Sequence, residues 1–243
     1  MSSELAHDPD ISGGEVRREG RAARPKDAAT LIIVRRDSKT PKILMGRRAA
    51  GHKFMPNKFV FPGGKVNPGD GRLRPPRDLH PLVMQRLQRS STETRARALA
   101  LAAIRETFEE TGLTLGEPGA PTLATRSPHW RGFLKFGINP RLDTLQLIAR
   151  AITPPYHLRR FDARFFMADA ELIQGDVREQ PAGSGELLEL HWVSVKDAEE
   201  LKIPNITRVI LAEVERRIRE QPGPGDTGPF IHYRHGKLVL DRI

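Results

Sequence analysis

The 243-residue chain contains no cysteine. That absence excludes a disulfide framework, a thiolate metal site and a cysteine nucleophile together. Aromatic residues are scarce at 6%, which argues against a broad base-stacking platform for nucleic acid. Long apolar runs are missing as well. Stretches such as Leu31–Val34 are strand-sized and far short of the roughly 18 residues a membrane-spanning helix needs. Residues 1–10 lack the basic start and apolar run of a signal peptide, and the reading is a cytoplasmic protein with no membrane partner. Acidic residues are in deficit: 30 Asp+Glu face 40 Lys+Arg, for a formal charge of +10. A surface of that sign favours anionic partners such as nucleotides, phosphorylated metabolites or nucleic acid, without choosing among them.

What is present divides into patterned and unpatterned stretches. Residues 1–27 are rich in Gly, Ser and charge without an apolar period, and read as a flexible N-terminal segment. From residue 28 to 243 the pattern reads as a single domain. Strands are expected at 29–35, 42–47, 59–61, 145–152, 161–168 and 187–193, with a terminal hairpin at 230–233 and 237–240. Helices are expected at 82–89, 95–111, 196–201 and 207–220. Strands outnumber helices and the two do not alternate, which argues for a mixed α+β sandwich over a doubly wound sheet. Residues 71–97 stand apart, with seven Arg against Asp78 and Glu93.

The helix expected at 95–111 carries the chemistry. At about 100° per residue, Glu109 falls about 60° to one side of Glu106 and Glu110 about 40° to the other. Leu101, Ile104 and Phe108 fall on the opposite side. Three carboxylates therefore crowd one turn, on a face read as exposed. An ordinary solvated acidic face would look similar, but two details count against it. Glu109 and Glu110 sit in the last turn before Gly112, where the helix dipole disfavours anions. Glu106 and Glu110 are a like-charge pair at i, i+4. A hard divalent cation such as Mg²⁺ removes both penalties. Upstream, Gly63-Gly64 follow a short strand, where glycine lets backbone approach a ligand or the acidic helix.

These residues resemble the Nudix box: Gly, five residues, Glu, seven residues, then Arg-Glu-apolar-any-Glu-Glu-any-Gly-apolar. Gly64 matches the first glycine, and Arg105, Glu106, Glu109, Glu110, Gly112 and Leu113 match the second half. Asp70 stands where the family usually has Glu, and Thr107 replaces an apolar residue. Asp70 and Arg105 are 35 positions apart, against 8 in the family pattern, so the resemblance implies an insertion into which residues 71–97 fall. A box split in this way resembles the coenzyme A diphosphatase branch. The run 54–64 and the run 159–166 are similar to that branch, and of its upstream signature Leu44 and Arg48 agree while Lys53 keeps the charge.

The resemblance implies an α/β/α sandwich with a mixed central sheet. It further implies divalent-metal-dependent hydrolysis of a diphosphate linkage in a small nucleoside diphosphate derivative, coenzyme A or an acyl-coenzyme A first. Other nucleoside diphosphate conjugates, RNA 5′ ends and a non-catalytic nucleotide sensor are the alternatives, and a homodimer stays open. Glu106, Glu109 and Glu110, with the Gly64 carbonyl, would hold Mg²⁺ or Mn²⁺. Arg105 would orient a glutamate, and Arg48 and Lys53 would bind phosphate. Glu106 is the first choice of general base, with Glu186 and Glu189 as later-loop alternatives. The histidines are scattered, and a zinc site on His232 and His235 is discounted.

Overall fold

The computed structural model describes residues 22–51, 55–119, 125–175 and 186–243. The largest sheet runs through nine strands. They are β1 (Lys26–Arg35), β2 (Lys42–Arg48), β3 (Phe59–Val60), β4 (Gly63–Lys65), β8 (Gln146–Ile152), β9 (Phe161–Asp169), β11 (Leu187–Ser194), β12 (Pro229–Arg234) and β13 (Lys237–Arg242). Four further strands among the described residues are short: β5 (Thr114–Leu115), β6 (Glu117–Pro118), β7 (Ile138–Asn139) and β10 (Ile173–Gln174), joined as two small pairs. The order across the large sheet is β11-β2-β1-β9-β8-β12-β13, with β3 on β2 and β4 on β1. β1 runs parallel to β9 and β12 parallel to β8, while the other neighbours are antiparallel. The sheet is therefore mixed, as expected.

Helices cover both faces. α1 (Pro81–Gln88), α2 (Glu93–Thr111) and α3 (Pro128–Leu134) share a core with Leu31, Ile33, Leu44 and Phe166. α4 (Val195–Glu200) and α5 (Asn205–Glu220) close the other face over Ile32, Val34, Met45 and Met167. Successive residues of β1 thus serve opposite cores, as the period of two requires, which explains why the strand is apolar throughout.

The strands sit where the patterning places them, to within a residue or three. β1 begins at Lys26, however, and Asp27 is bidentate to Arg95 (2.5 and 2.6 Å). Lys26 and Asp27 therefore belong to the sheet, just ahead of the boundary expected at residue 28; residues 1–21 lie outside the described part. α2 also starts earlier than expected, at Glu93, where the Thr92 hydroxyl accepts from the Arg95 amide. It is not an amphipathic surface helix. Every residue from Ala96 to Arg105 is buried, and the alanines at 96, 98, 100, 102 and 103 let it lie close against sheet and neighbouring helices. Thr107 is buried too, its hydroxyl satisfied by the Ala103 carbonyl at 2.8 Å.

One topological feature prepares the site. β1 and β2 pair directly only at Val34↔Ile43 and Arg35↔Lys42. Below that point they part. β1 takes β4 as partner (Thr30↔Gly63, Ala29↔Gly64), and β2 takes β3 (Gly46↔Val60, Arg47↔Phe59). Gly63-Gly64 therefore belongs to a strand, and it lies in a fork of the sheet against the C-terminal turns of α2.

Candidate active site

α2 presents Arg105, Glu106, Glu109 and Glu110 to this fork. The expectation of an exposed acidic face is corrected here. Glu110 is only 3% exposed, and its Oε2 accepts the Gly63 amide at 2.8 Å. Glu106 lies flat on Gly64: a Cβ there would stand 2.4 Å from the Glu106 carboxyl. The glycine is thus required by the close approach of the carboxylate, since a side chain would displace it. Glu109 is the most open of the three, at 27% side-chain exposure.

Arg105 organises the cluster from below. Its Nη1 donates to Glu106 (2.8 Å) and Glu109 (2.7 Å), and its Nη2 reaches the Lys65 carbonyl (2.8 Å). Nε and Nη2 grip Asp70 bidentately at 2.8 and 3.0 Å. Asp70 is fully buried and also receives the Trp130 indole N–H (2.8 Å) and the Asn67 amide (2.7 Å). A buried carboxylate with four donors around it is well compensated for desolvation. Although 35 residues separate them in sequence, Asp70 and Arg105 form one fixed unit.

Electrostatics distinguish the carboxylates. Burial pushes Glu110 up to about 8, against which the Gly63 N–H and Arg48 pull down and Glu106 and Glu186 push further up. Glu106 is raised for the same first reason, with Arg105 opposing and Glu109 and Asp70 reinforcing. Burial would lower Arg105, but the Asp70 hydrogen bond and the charges of Glu106, Asp70 and Glu109 outweigh it and hold the guanidinium above its ordinary value. Arg48 is lowered by burial, offset in part by Glu110, Glu186 and Glu106. Raised carboxylates gathered in a cleft mark a functional site.

The cluster opens into a pocket of about 850 Å³. Its walls include Arg48, Gly64, Lys65 and Glu186 beside the α2 acids. Of the residues singled out from sequence, Arg105, Glu106, Glu109, Glu110, Gly64, Arg48 and Glu186 therefore meet at one cavity. Glu189 does not: it pairs with Arg47 at an irregularity of β11 and is absent from the pocket wall. Lys53 lies outside the described residues. His232 pairs with Asp241 at 2.8 Å on the C-terminal hairpin.

Two residues escaped the sequence reading, Trp130 and His129, whose Nδ1 lies 2.5 Å from Glu109 Oε1. Both belong to α3, and the signal for it was Ser127-Pro128, a polar residue and a proline at a helix start.

As the side chains stand, no three acidic or histidine groups converge on a metal-sized centre among the described residues. Arg105 and the Gly63 amide occupy oxygens that an ion would share. The donor set nevertheless fits a hard divalent cation: the carboxylates of Glu106, Glu109 and Glu110 offer oxygen alone, and Glu109, the most open of the three, faces His129 at its Oε1.

No family model matches the chain. It is 27% identical over 183 residues to "Putative nudix hydrolase 7" of Caenorhabditis elegans, a match covering 71% of this chain. The chain spans about half the length of that relative, 52%. Among solved structures it superposes on a NUDIX hydrolase from Alicyclobacillus acidocaldarius with a TM-score of 0.58 at 26% identity, covering 78% of this chain and 90% of the other. The mixed α+β architecture matches that structure, and both comparisons show similarity to Nudix hydrolases.

Proposed function

We propose that the protein hydrolyses a diphosphate linkage in a nucleoside diphosphate derivative, with coenzyme A or an acyl-coenzyme A as the first substrate class. The observation that carries the reading is the single turn of α2. It brings three carboxylates, two of them with raised pKa values, to the wall of an 850 Å³ pocket that also holds Arg48 and Lys65. Acids alone would repel a diphosphate, and cations alone would bind it without cleaving it. Their combination suits phosphoryl transfer from an anionic substrate.

Glu106, Glu109, Glu110 and the Gly64 carbonyl would hold Mg²⁺ or Mn²⁺. When bound, such an ion offsets charge on the phosphoryl oxygens and acidifies water. The chain's own groups do the rest. Arg105, fixed by Asp70, holds Glu106 and Glu109 in place. Arg48 and Lys53 bind phosphate oxygens. Glu106 takes the proton from the attacking water, and Glu186 is the alternative base within the same cavity. Water adds to one phosphorus, the bridging oxygen leaves with the other, and each product keeps one of the two phosphoryl groups as a phosphate monoester. The long separation of Asp70 from Arg105 favours the split-box branch, and hence coenzyme A.

The test is a panel of diphosphate conjugates offered with Mg²⁺ and with Mn²⁺, products identified by mass. Coenzyme A should yield adenosine 3′,5′-bisphosphate and 4′-phosphopantetheine only when a divalent ion is present. Conversion of RNA 5′ ends in preference to every small conjugate would transfer the reading to nucleic acid. Failure to cleave any member would overturn it.

A further inference from the structure

The pocket extends well beyond the carboxylates, and its floor has a definite shape. Strand register places Ala28 of β1 opposite Ala163 of β9, Ala163 opposite Ala151 of β8, and Ala151 opposite Ile231 of β12. Residues in register lie on one face of a sheet, so these four make a single row across four strands. At about 4.8 Å per strand the row is about 14 Å long. All four line the pocket. Three consecutive methyl groups form a low strip. Phe161 and Phe165, two residues either side of Ala163 on the same face of β9, stand higher and also line the cavity. The result is a trough.

Its two ends differ in chemistry. At one end Ala28 pairs with Lys65, next to Gly64 and the α2 acids. At the other, the C-terminal hairpin closes the cavity with Ile231 and the cross-strand pair Tyr233 and Leu238. The first turn of α5, with Ile206, lies along it on the same face.

We propose that this trough is the binding site for a slim, linear, largely apolar arm of the substrate, running from the scissile diphosphate to the β12–β13 hairpin. The alanine row sets its width and the hairpin sets its length. The inference rests on the diphosphate reading for the anchored end. It adds that the chain selects by the shape of the arm: an unbranched chain lies flat on the methyl strip, whereas a compact sugar leaves most of the strip uncovered. Apolar contact along four strands then contributes to selectivity in the way hydrophobic pockets do, about tenfold or more for a few buried methylenes.

The experiment compares dephospho-coenzyme A with ADP-ribose. Both are adenosine diphosphate conjugates without a 3′-phosphate; one carries a linear pantetheine arm and the other a ribose. The expected kcat/KM ratio favours dephospho-coenzyme A by about tenfold or more, and Ala163→Leu and Ala151→Leu, which fill the strip, should cut that ratio by about tenfold. Leu238→Asp, at a half-exposed site where folding is little at risk, should cut it as well by charging the far wall. Calorimetric binding of 4′-phosphopantetheine and of ribose 5-phosphate without divalent ions separates the two claims. If neither conjugate is hydrolysed yet 4′-phosphopantetheine binds more tightly and loses that advantage in Ala163→Leu, the trough stands and the activity falls. If hydrolysis proceeds and the ratio is the same in all three variants as in the wild type, the trough falls and the activity stands.

Discussion

Glu110 carries much of the site's electrostatics because it is a carboxylate placed where water scarcely reaches. Its proton is held up to about 8, first by burial and then by Glu106 and Glu186. The folded state therefore binds that proton more tightly than the unfolded chain, whose glutamate titrates near 4.5. Without divalent ions, the stabilising effect is full below about pH 4.5 and is lost as pH rises through about 8. Urea unfolding midpoints in EDTA should accordingly fall across that window. Glu110→Gln, which keeps the acceptor for the Gly63 amide, should show a shallower fall; identical slopes would show that Glu110 is not held protonated. The sequence could place this residue on the right turn of the helix, because angular spacing depends only on position. It could not reveal burial, because that depends on β4 covering the turn from a distant part of the chain. For the same reason Trp130 was invisible as a partner of Asp70: nothing local to residues 127–134 says that the indole reaches across to residue 70.

α2 and β4 were legible to different degrees. The left-handed cap at Gly112 (φ 75°) and the helix end follow directly from the residue type. The N-terminal extension to Glu93 was less obvious, since alternating Arg and Ala suit a solvated helix as well as a buried one. Here Arg97 reaches Asp78 and Glu93, at 2.6 and 2.7 Å, and so pairs at the edge of the core. Gly63-Gly64 reads locally as a turn and becomes a strand only because β1 and β2 part company and leave β1 a free edge. The two glycines then have different duties. At Gly63 a Cβ would meet the Ala29 carbonyl at 2.6 Å and the Thr30 Cα at 2.7 Å, backbone that cannot yield. At Gly64 it would meet the Glu106 carboxyl, the end of a side chain and not backbone. Gly63→Ala should therefore lower unfolding stability by about 1–3 kcal/mol. Gly64→Ala should leave stability nearly intact while weakening Mn²⁺ binding measured by electron paramagnetic resonance. Equal loss of stability in both would mean that Gly64 serves only the sheet.

For the molecule as a whole, composition spoke to partners more than to fold. A formal charge of +10 is consistent with an anionic substrate, yet most of the arginines that face the described acids are engaged in holding the structure. Arg95 with Asp27, Arg150 and Arg164 with Asp162, and Arg217 with Glu213 are examples. The positive excess is thus partly architectural, and only a few cations, among them Arg48 and Lys65, are turned to the cavity. The mixed sheet was legible because strand patterning is strong in β1, β2, β8 and β9. The fork, the small strand pairs and α3 were not, because short elements carry too few residues for a period to show. Among the described residues no helix is long and apolar enough to cross a membrane. The acidic turn of α2 is the part of the molecule on which the proposed activity depends. Turnover of dephospho-coenzyme A should be measured against Mg²⁺ concentration for the wild type, Glu109→Gln and Glu110→Gln, with folding checked by circular dichroism. Each substitution should lower kcat by about 100-fold or more in a folded protein. Near-normal turnover in both would contradict it.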